Sequence, residues 1–267
     1  MPAGNRRKRK SVRVYGRLFL SELIGTALLV AVGVSAVILD FGTGSPVATL
    51  LPDPGLRRLI TGFLFGAIGG SIAVSPVGKI SGAHINPAVT LSFWIKRKIS
   101  RRHAAGYFLA QFAGGLLGAL PLLAWGAMGA SVHFGATSPG TGYTAWQAVL
   151  GEVITTFCLI VGIFLFIGHR LLRPYTPGLF PFLYAVMVYL EAPVSGTSTN
   201  PARSLGPSLV SANWQGWWVY WIGPLLGTLL ALGILRLSPL KRFEVDIAKL
   251  YHFEHDPHGL YGLGRQG

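Results

Sequence analysis

Two Asn-Pro-Ala triplets, Asn86-Pro87-Ala88 and Asn200-Pro201-Ala202, stand 114 positions apart in a chain otherwise dominated by Leu, Ala, Val, Phe and Gly. Asn is a preferred helix N-cap and Pro is preferred at the first helical position, so each triplet reads as a helix start, and the preceding "KISGAHI" and "SGTST" stretches read as extended entry segments. The apolar stretches that follow, 88–95 and 202–210, have about half of the roughly 20 residues that cross a bilayer, and so predict half-helices. Each start presents unpaired backbone N–H groups, a partial positive charge of about half a unit and a side-chain amide able to donate a hydrogen bond. Two such starts facing each other would orient neutral hydrogen-bonding molecules and repel cations, protons included. No nucleophile, base or metal set accompanies them, which places an enzyme last among the readings.

Half-helices need a scaffold. Hydrophobic residues make up 51% of the chain and charged residues only 12%, against roughly 25% charged in a soluble domain. This is the composition of a membrane protein. Apolar runs at 18–39, 59–77, 104–127, 145–168, 177–194 and 216–237 predict six spans. The first is too long for a signal peptide's core and lacks a clear cleavage pattern, so it reads as a retained span. Cys158 is the single cysteine and excludes an intramolecular disulfide.

The net charge of +14 raises the possibility of nucleic acid, but its placement argues against that partner. Arg6, Arg7, Lys8, Arg9, Lys10, Arg13 and Arg17 precede the first apolar run; Lys96, Arg97, Lys98, Arg101 and Arg102 precede the third. From His103 to His169 there is no Lys or Arg. Such segregation follows the positive-inside rule and puts both termini in the cytoplasm, with Arg57 and Arg58 as outnumbered exceptions.

The chain repeats itself. "SELIGT" carries Glu22 and Thr26, and "GEVITT" carries Glu152 and Thr156; after each triplet comes a Tyr-led span, from Tyr107 and Tyr220. Three spans per half force the second half to enter from the opposite side, an inverted repeat. Glycines at every fourth position, Gly62, Gly66 and Gly70, then Gly114 and Gly118, then Gly223 and Gly227, allow close helix packing. The division is a basic segment 1–16, a channel domain 17–237 (repeats about 17–127 and 145–237) and a cytoplasmic tail 238–267.

Over residues 17–237 the chain resembles the major intrinsic protein (aquaporin) family, on "SGAHINPAVT", "NPARS", "YWIGP" and the two Glu-x-x-x-Thr pairs. The resemblance implies an all-α membrane fold of six helices and two half-helices, a pore in every protomer and a homotetramer in a cell membrane, of the bacterial inner-membrane type. It also implies a filter near the outer face. Arg203 matches the filter arginine and Thr197 the position that contributes a backbone carbonyl; Phe65 matches the aromatic of the second span, with Gly66 as the competing alignment. The fourth position is Val188, where water-selective members commonly carry His, so this ring should be wider and more apolar. Ser204 and the Tyr220-Trp221 pair lean toward water. The resemblance therefore implies water conduction together with small neutral solutes such as glycerol, hydrogen peroxide, ammonia or an uncharged metalloid acid, without a cofactor.

Other residues carry two readings. His84 is placed by the resemblance beside the cytoplasmic half of the pore, or else makes a purely structural bond to backbone. Glu22 and Glu152, intramembrane carboxylates, are read through the resemblance as acceptors for the irregular loops rather than proton carriers. Glu191 either faces the outer vestibule or forms a surface ion pair. His252, His255 and His258 could bind metal, though a short polar tail of this kind is expected to be disordered. Ser11 follows a basic run and is a weak candidate for phosphorylation. The rival functions are an ion-coupled secondary transporter, which shares the inverted repeat and broken helices, and a non-conducting junction protein on the same fold.

Overall fold

The computed structural model describes residues 3–237 and 247–261. The side chains of Arg6, Arg7, Lys8, Arg9, Lys10 and Ser11, and the residues Lys241 and Arg242, lie outside the described part. The described residues form helices α1 (Ala3–Phe41), α2 (Pro46–Leu50), α3 (Pro54–Val74), α4 (Pro76–Ser81), α5 (Pro87–Ile95), α6 (Arg101–Ala119), α7 (Gly126–Ala130), α8 (Ala145–Gly168), α9 (Thr176–Ser195), α10 (Pro201–Ser211) and α11 (Val219–Ile234). Five segments are long and apolar enough to cross a membrane; α11, in the place of the sixth expected span, has 16 residues. At 1.5 Å per residue α11 covers about 24 Å. Trp214, Trp217 and Trp218 precede it, residues suited to a membrane–water interface.

Close backbone approach holds the bundle together, and the glycines explain it. A Cβ on Gly62, Gly66 or Gly70 would stand 2.3, 2.2 or 2.5 Å from the carbonyl oxygens of Tyr184, Phe180 and Pro177, so this stripe seats α3 on α9. Gly114 and Gly118 press α6 against Leu23 and Ala27 of α1, and Gly223 and Gly227 press α11 against Glu152 and Val153 of α8. These are matching contacts in the two repeats. They also explain the threonines of the Glu-x-x-x-Thr pairs: Thr26 and Thr156 bear their Cβ atoms against Gly114 and Gly227, and their buried hydroxyls have no hydrogen-bond partner.

Two sequence expectations need correction. The "KISGAHI" lead-in is not an extended segment: Lys79, Ile80 and Ser81 belong to α4, which Ser75 caps and Pro76 opens, and Gly82, Ala83 and Ile85 have positive φ. The third span is α-helical only to Ala119; Pro121 lies in a 3₁₀ segment from Leu120 to Trp125, consistent with proline's missing donor. The exceptional Arg57 is explained by its contacts, since it donates to the Asp40 carbonyl at 2.7 Å and lies over the Phe41 ring.

Candidate functional site

The two half-helices begin as their sequences dictate. The Oδ1 of Asn86 accepts from the Ala88 N–H at 2.8 Å, and the Oδ1 of Asn200 accepts from Ala202 and Arg203 at 3.1 and 3.3 Å. Pro87 and Pro201 occupy the first helical positions. Helix α10 is anchored in turn by α6: a Cβ at Gly115 would meet the Ala202 carbonyl oxygen at 2.2 Å.

Each asparagine also reaches across to the other repeat. Asn86 Nδ2 donates to the Thr199 carbonyl at 2.9 Å and Asn200 Nδ2 donates to the Ile85 carbonyl at 3.0 Å. A carboxamide nitrogen carries two hydrogens, so each amide keeps one donor beyond this cross-link. Both asparagines line one narrow cavity of about 40 Å³, together with Phe65, His84, Ile163, Tyr184 and Leu250. Since one water needs roughly 10–15 Å³ of such space, the cavity has room for about three.

The loops leading to the triplets are built twice on one plan. Glu22 accepts from the N–H groups of His84 and Ile85 at 3.0 and 2.6 Å. Glu152 accepts from those of Ser198 and Thr199 at 2.6 and 2.8 Å. The Tyr107 hydroxyl donates to the Ser81 carbonyl and the Tyr220 hydroxyl to that of Ser195, at 2.6 and 2.7 Å. Gly82 and Gly196 take φ of +88° and +83°, a conformation that glycine adopts without a Cβ penalty. Even non-glycine residues are forced over: Ala83, Ile85, Thr197 and Thr199 all have positive φ. Backbone of this kind costs on the order of 1–2 kcal/mol per residue, and the buried carboxylates bonded to its N–H groups help to hold it. Glu22 and Glu152 are thus engaged with loop amides in both repeats.

On the side away from α5, Arg203 donates through Nη1 to the Gly135 carbonyl at 2.7 Å, and its guanidinium lies 5.8 Å from the Phe65 ring centroid. An outer cavity of about 350 Å³ is lined by Arg203, Val188, Thr61, Arg58, Ala192 and Gly196, among others. Phe65 and Tyr184, ring centroids 5.6 Å apart, line only the inner cavity. The boundary between the two cavities therefore falls at Phe65, Tyr184 and Arg203. Gly66 lines the inner cavity too, but its missing Cβ serves the contact with Phe180.

Thr197 turns its hydroxyl away, donating to Glu191 Oε2 at 2.5 Å. That bond overturns both readings of Glu191, which is buried against Gly151 behind the loop and lines neither the vestibule nor a surface. Tyr184 was missed by the sequence reading; its hydroxyl pairs with Thr199 Oγ1 at 2.8 Å. One turn before Val188, it stands where the helical period points at the same face, which was the available signal. Gln111 was missed as well. It donates to Glu22 at 2.7 Å and to Thr90 at 2.8 Å, and repeat 2 offers no hint of it, since the matching position is Pro224.

The tail departs most from expectation. Residues 247–261 are packed, not disordered: Ile247, Ala248, Lys249, Leu250 and Tyr261 are all buried. The histidines do not converge, and among the described residues no group of three or more His, Cys, Asp or Glu could hold a metal. His84 makes the bond to backbone that one of its readings expected, and it stands on the cavity as well. It lines the cavity, while its Nε2 bonds the Ala248 carbonyl at 3.0 Å and its Nδ1 lies 3.1 Å from Thr90 Oγ1.

Membrane-length helices around two facing, amide-bearing half-helix starts define a pore-forming membrane protein. The chain belongs to the major intrinsic protein family, the aquaporins, whose family model matches residues 8–234. It is 33% identical over 237 residues to aquaporin AqpM of Methanothermobacter marburgensis, covering 79% of this chain and 93% of that one. It is 31% identical over 251 residues to the lens fiber major intrinsic protein of Gallus gallus, covering 91% and 89%. In fold it is similar to the crystal structure of the aquaglyceroporin from Plasmodium falciparum, with a TM-score of 0.71 and 18% identity over 86% of this chain and 98% of that one.

Proposed function

We propose that this chain conducts water and small neutral solutes passively across a membrane and excludes protons and ions. The observation that carries the reading is the reciprocal pair Asn86–Thr199 and Asn200–Ile85, which fixes two helix N-termini on one narrow cavity. Each asparagine has a donor left for a passing oxygen, so a water at the centre is turned by both amides at once. A water held from both sides donates outward, away from its neighbours, and a proton cannot hop through it along a continuous donor chain. The positive ends of α5 and α10 add an electrostatic barrier to cations.

Phe65, Val188, Thr197 and Arg203 form the outer filter in this reading. Arg203 supplies fixed charge and donors, Phe65 a wall, Thr197 its carbonyl, and Val188 an apolar side in place of a donor. Val188 and the cavity of about 350 Å³ beside it favour glycerol-sized neutral permeants along with water. Ion coupling is disfavoured because Glu22 and Glu152, which a coupled transporter could use, are engaged with loop amides. The assembly is a homotetramer with a pore in each protomer, in a bacterial-type inner membrane with both termini cytoplasmic, and needs no cofactor.

Stopped-flow light scattering on proteoliposomes tests the function, with water, glycerol, urea and peroxide gradients. Osmotic permeability above protein-free vesicles, without any proton or sodium gradient, is the expected result. Permeability equal to the protein-free control, or solute flux that needs such a gradient, overturns the reading.

A further inference from the structure

The tail residues 247–261 do not merely lie near the cavity; Leu250 is part of its wall. Its backbone N–H donates to the Gly82 carbonyl at 3.0 Å, two residues before His84, so the tail runs along the lead-in loop of the first triplet. Gly82 is also where a side chain would collide, since a Cβ there would stand 2.7 Å from Lys249 Cγ.

His84 sharpens the point. A carbonyl oxygen only accepts, so the bond to Ala248 requires the proton on His84 Nε2, and Nδ1 then accepts from Thr90. The Thr90 hydroxyl is free to donate that way because it receives Gln111 Nε2 at 2.8 Å. The donor on His84 is therefore occupied by a tail carbonyl and is not offered to the cavity that His84 lines.

Three anchors hold the segment. The Lys249 ammonium, on a fully buried side chain, donates to the carbonyls of Lys79 and His255 at 2.9 and 2.5 Å and lies 4.6 Å from the Tyr261 ring centroid. The Tyr261 hydroxyl meets the Ser81 carbonyl at 2.8 Å and the Tyr107 hydroxyl at 2.9 Å. Asp256 accepts from the N–H groups of Leu260 and Tyr261, which closes the segment on itself. Every anchor except this last one reaches α4, the lead-in loop or the start of α6.

We propose that residues 247–261 are a strap that shuts the inner mouth of the pore: Leu250 fills the passage, the Ala248 carbonyl takes the His84 donor, and conduction requires the strap to leave. This rests on the channel reading above. The structure is then the closed form, and its rate of conduction is set by the fraction of molecules whose strap is released.

Two full-length variants test it, one at the tip and one at an anchor. Leu250→Ala shortens the side chain in the passage. Tyr261→Phe keeps the ring beneath Lys249 and removes the hydroxyl, and with it the one hydrogen bond that its single proton donates at Ser81 or Tyr107. If flux scales with the released fraction, losing one such bond raises water permeability per folded protein by about fivefold, and Leu250→Ala raises it by a similar factor. Hydrogen exchange at the Leu250 amide should speed up in Tyr261→Phe in parallel with the flux. Two folded variants that conduct at the parent's rate, with unchanged exchange, overturn the strap and leave the channel intact. Absence of flux in the parent and in both variants, with exchange at Leu250 accelerated, overturns the channel reading instead.

Discussion

Replacing Glu152 by Gln is the most direct test of what holds the second lead-in loop. One carboxylate oxygen accepts from Ser195 Oγ at 2.8 Å and Ser198 N at 2.6 Å; the other accepts from Thr199 N at 2.8 Å. In its better orientation a glutamine keeps the first two bonds and turns its NH₂ toward the Thr199 N–H. That loses a bond to a charged acceptor, about 1.5–3 kcal/mol, and buries an unpaired donor, about 1–3 kcal/mol. Removing the charge relieves some desolvation, which offsets part of the loss, so we expect a net destabilisation of about 3 kcal/mol. At 2–4 °C per kcal/mol for a chain approaching this size, melting in detergent should fall by about 6–12 °C. Function should suffer beyond stability, because Thr199 is the residue whose carbonyl accepts from Asn86 across the pore. Water permeability per folded protein should therefore fall in proteoliposomes. A variant that melts within about 2 °C of the parent and conducts equally well would refute the claim that this carboxylate holds the loop.

Val188→His, placing a donor on the outer cavity beside Arg203, should lower glycerol permeability more than water permeability; an unchanged ratio in a stable variant removes Val188 from the filter. Thr26→Val should be neutral or stabilising by up to about 1 kcal/mol, because the buried hydroxyl has no partner. Gly114→Ala should cost about 3 kcal/mol or more, since its Cβ would stand 2.4 Å from the Leu23 carbonyl oxygen; thermal melting of the pair separates the two effects. Burial lowers the Lys249 pKa from 10.5 to about 8, with Asp256 opposing and Lys79 assisting. Release of the strap would return it to its ordinary value, so docking gains strength as pH rises from about 8 toward 10.5 and is indifferent to this group below that window. His255, whose carbonyl Lys249 binds, and Tyr261 share that surround. Water flux should accordingly slow between pH 8 and 10, and Lys249→Met should abolish that dependence.

The centre of this molecule was legible because its signals are local. An Asn cap followed by Pro opens a helix wherever it occurs, and both triplets do so. Glu22 and Glu152 were legible through duplication, as a residue type repeated at matching places among apolar spans. Gln111 was not, because it acts through contacts to Glu22 and Thr90 that leave no period or spacing behind and has no counterpart in repeat 2; Tyr184 left only its place one helical turn before Val188. The helix end at Ala119 was hidden inside a continuous apolar run, although Pro121 marked it. The tail misled because its Gly, His and charge content suits solvent as well as it suits a surface of backbone carbonyls. What orders it is a set of acceptors offered by Val74, Lys79, Ile80, Ser81 and Gly82, and the tail's own composition says nothing of them.

The crossed bonds between Asn86 and Thr199 and between Asn200 and Ile85 also bear on how the chain is made. Each half contributes one amide and one carbonyl, and neither can satisfy its own. While the chain is being synthesised, the first half therefore carries a buried donor and a buried acceptor with no partner until more than a hundred further residues have been inserted. Unpaired polar groups at that depth are costly, so the first half-helix is metastable, and the arrival of residues 199 and 200 is the event that fixes both. The centre of the pore is thus completed late in biogenesis, and it joins the two halves at the same moment that it forms.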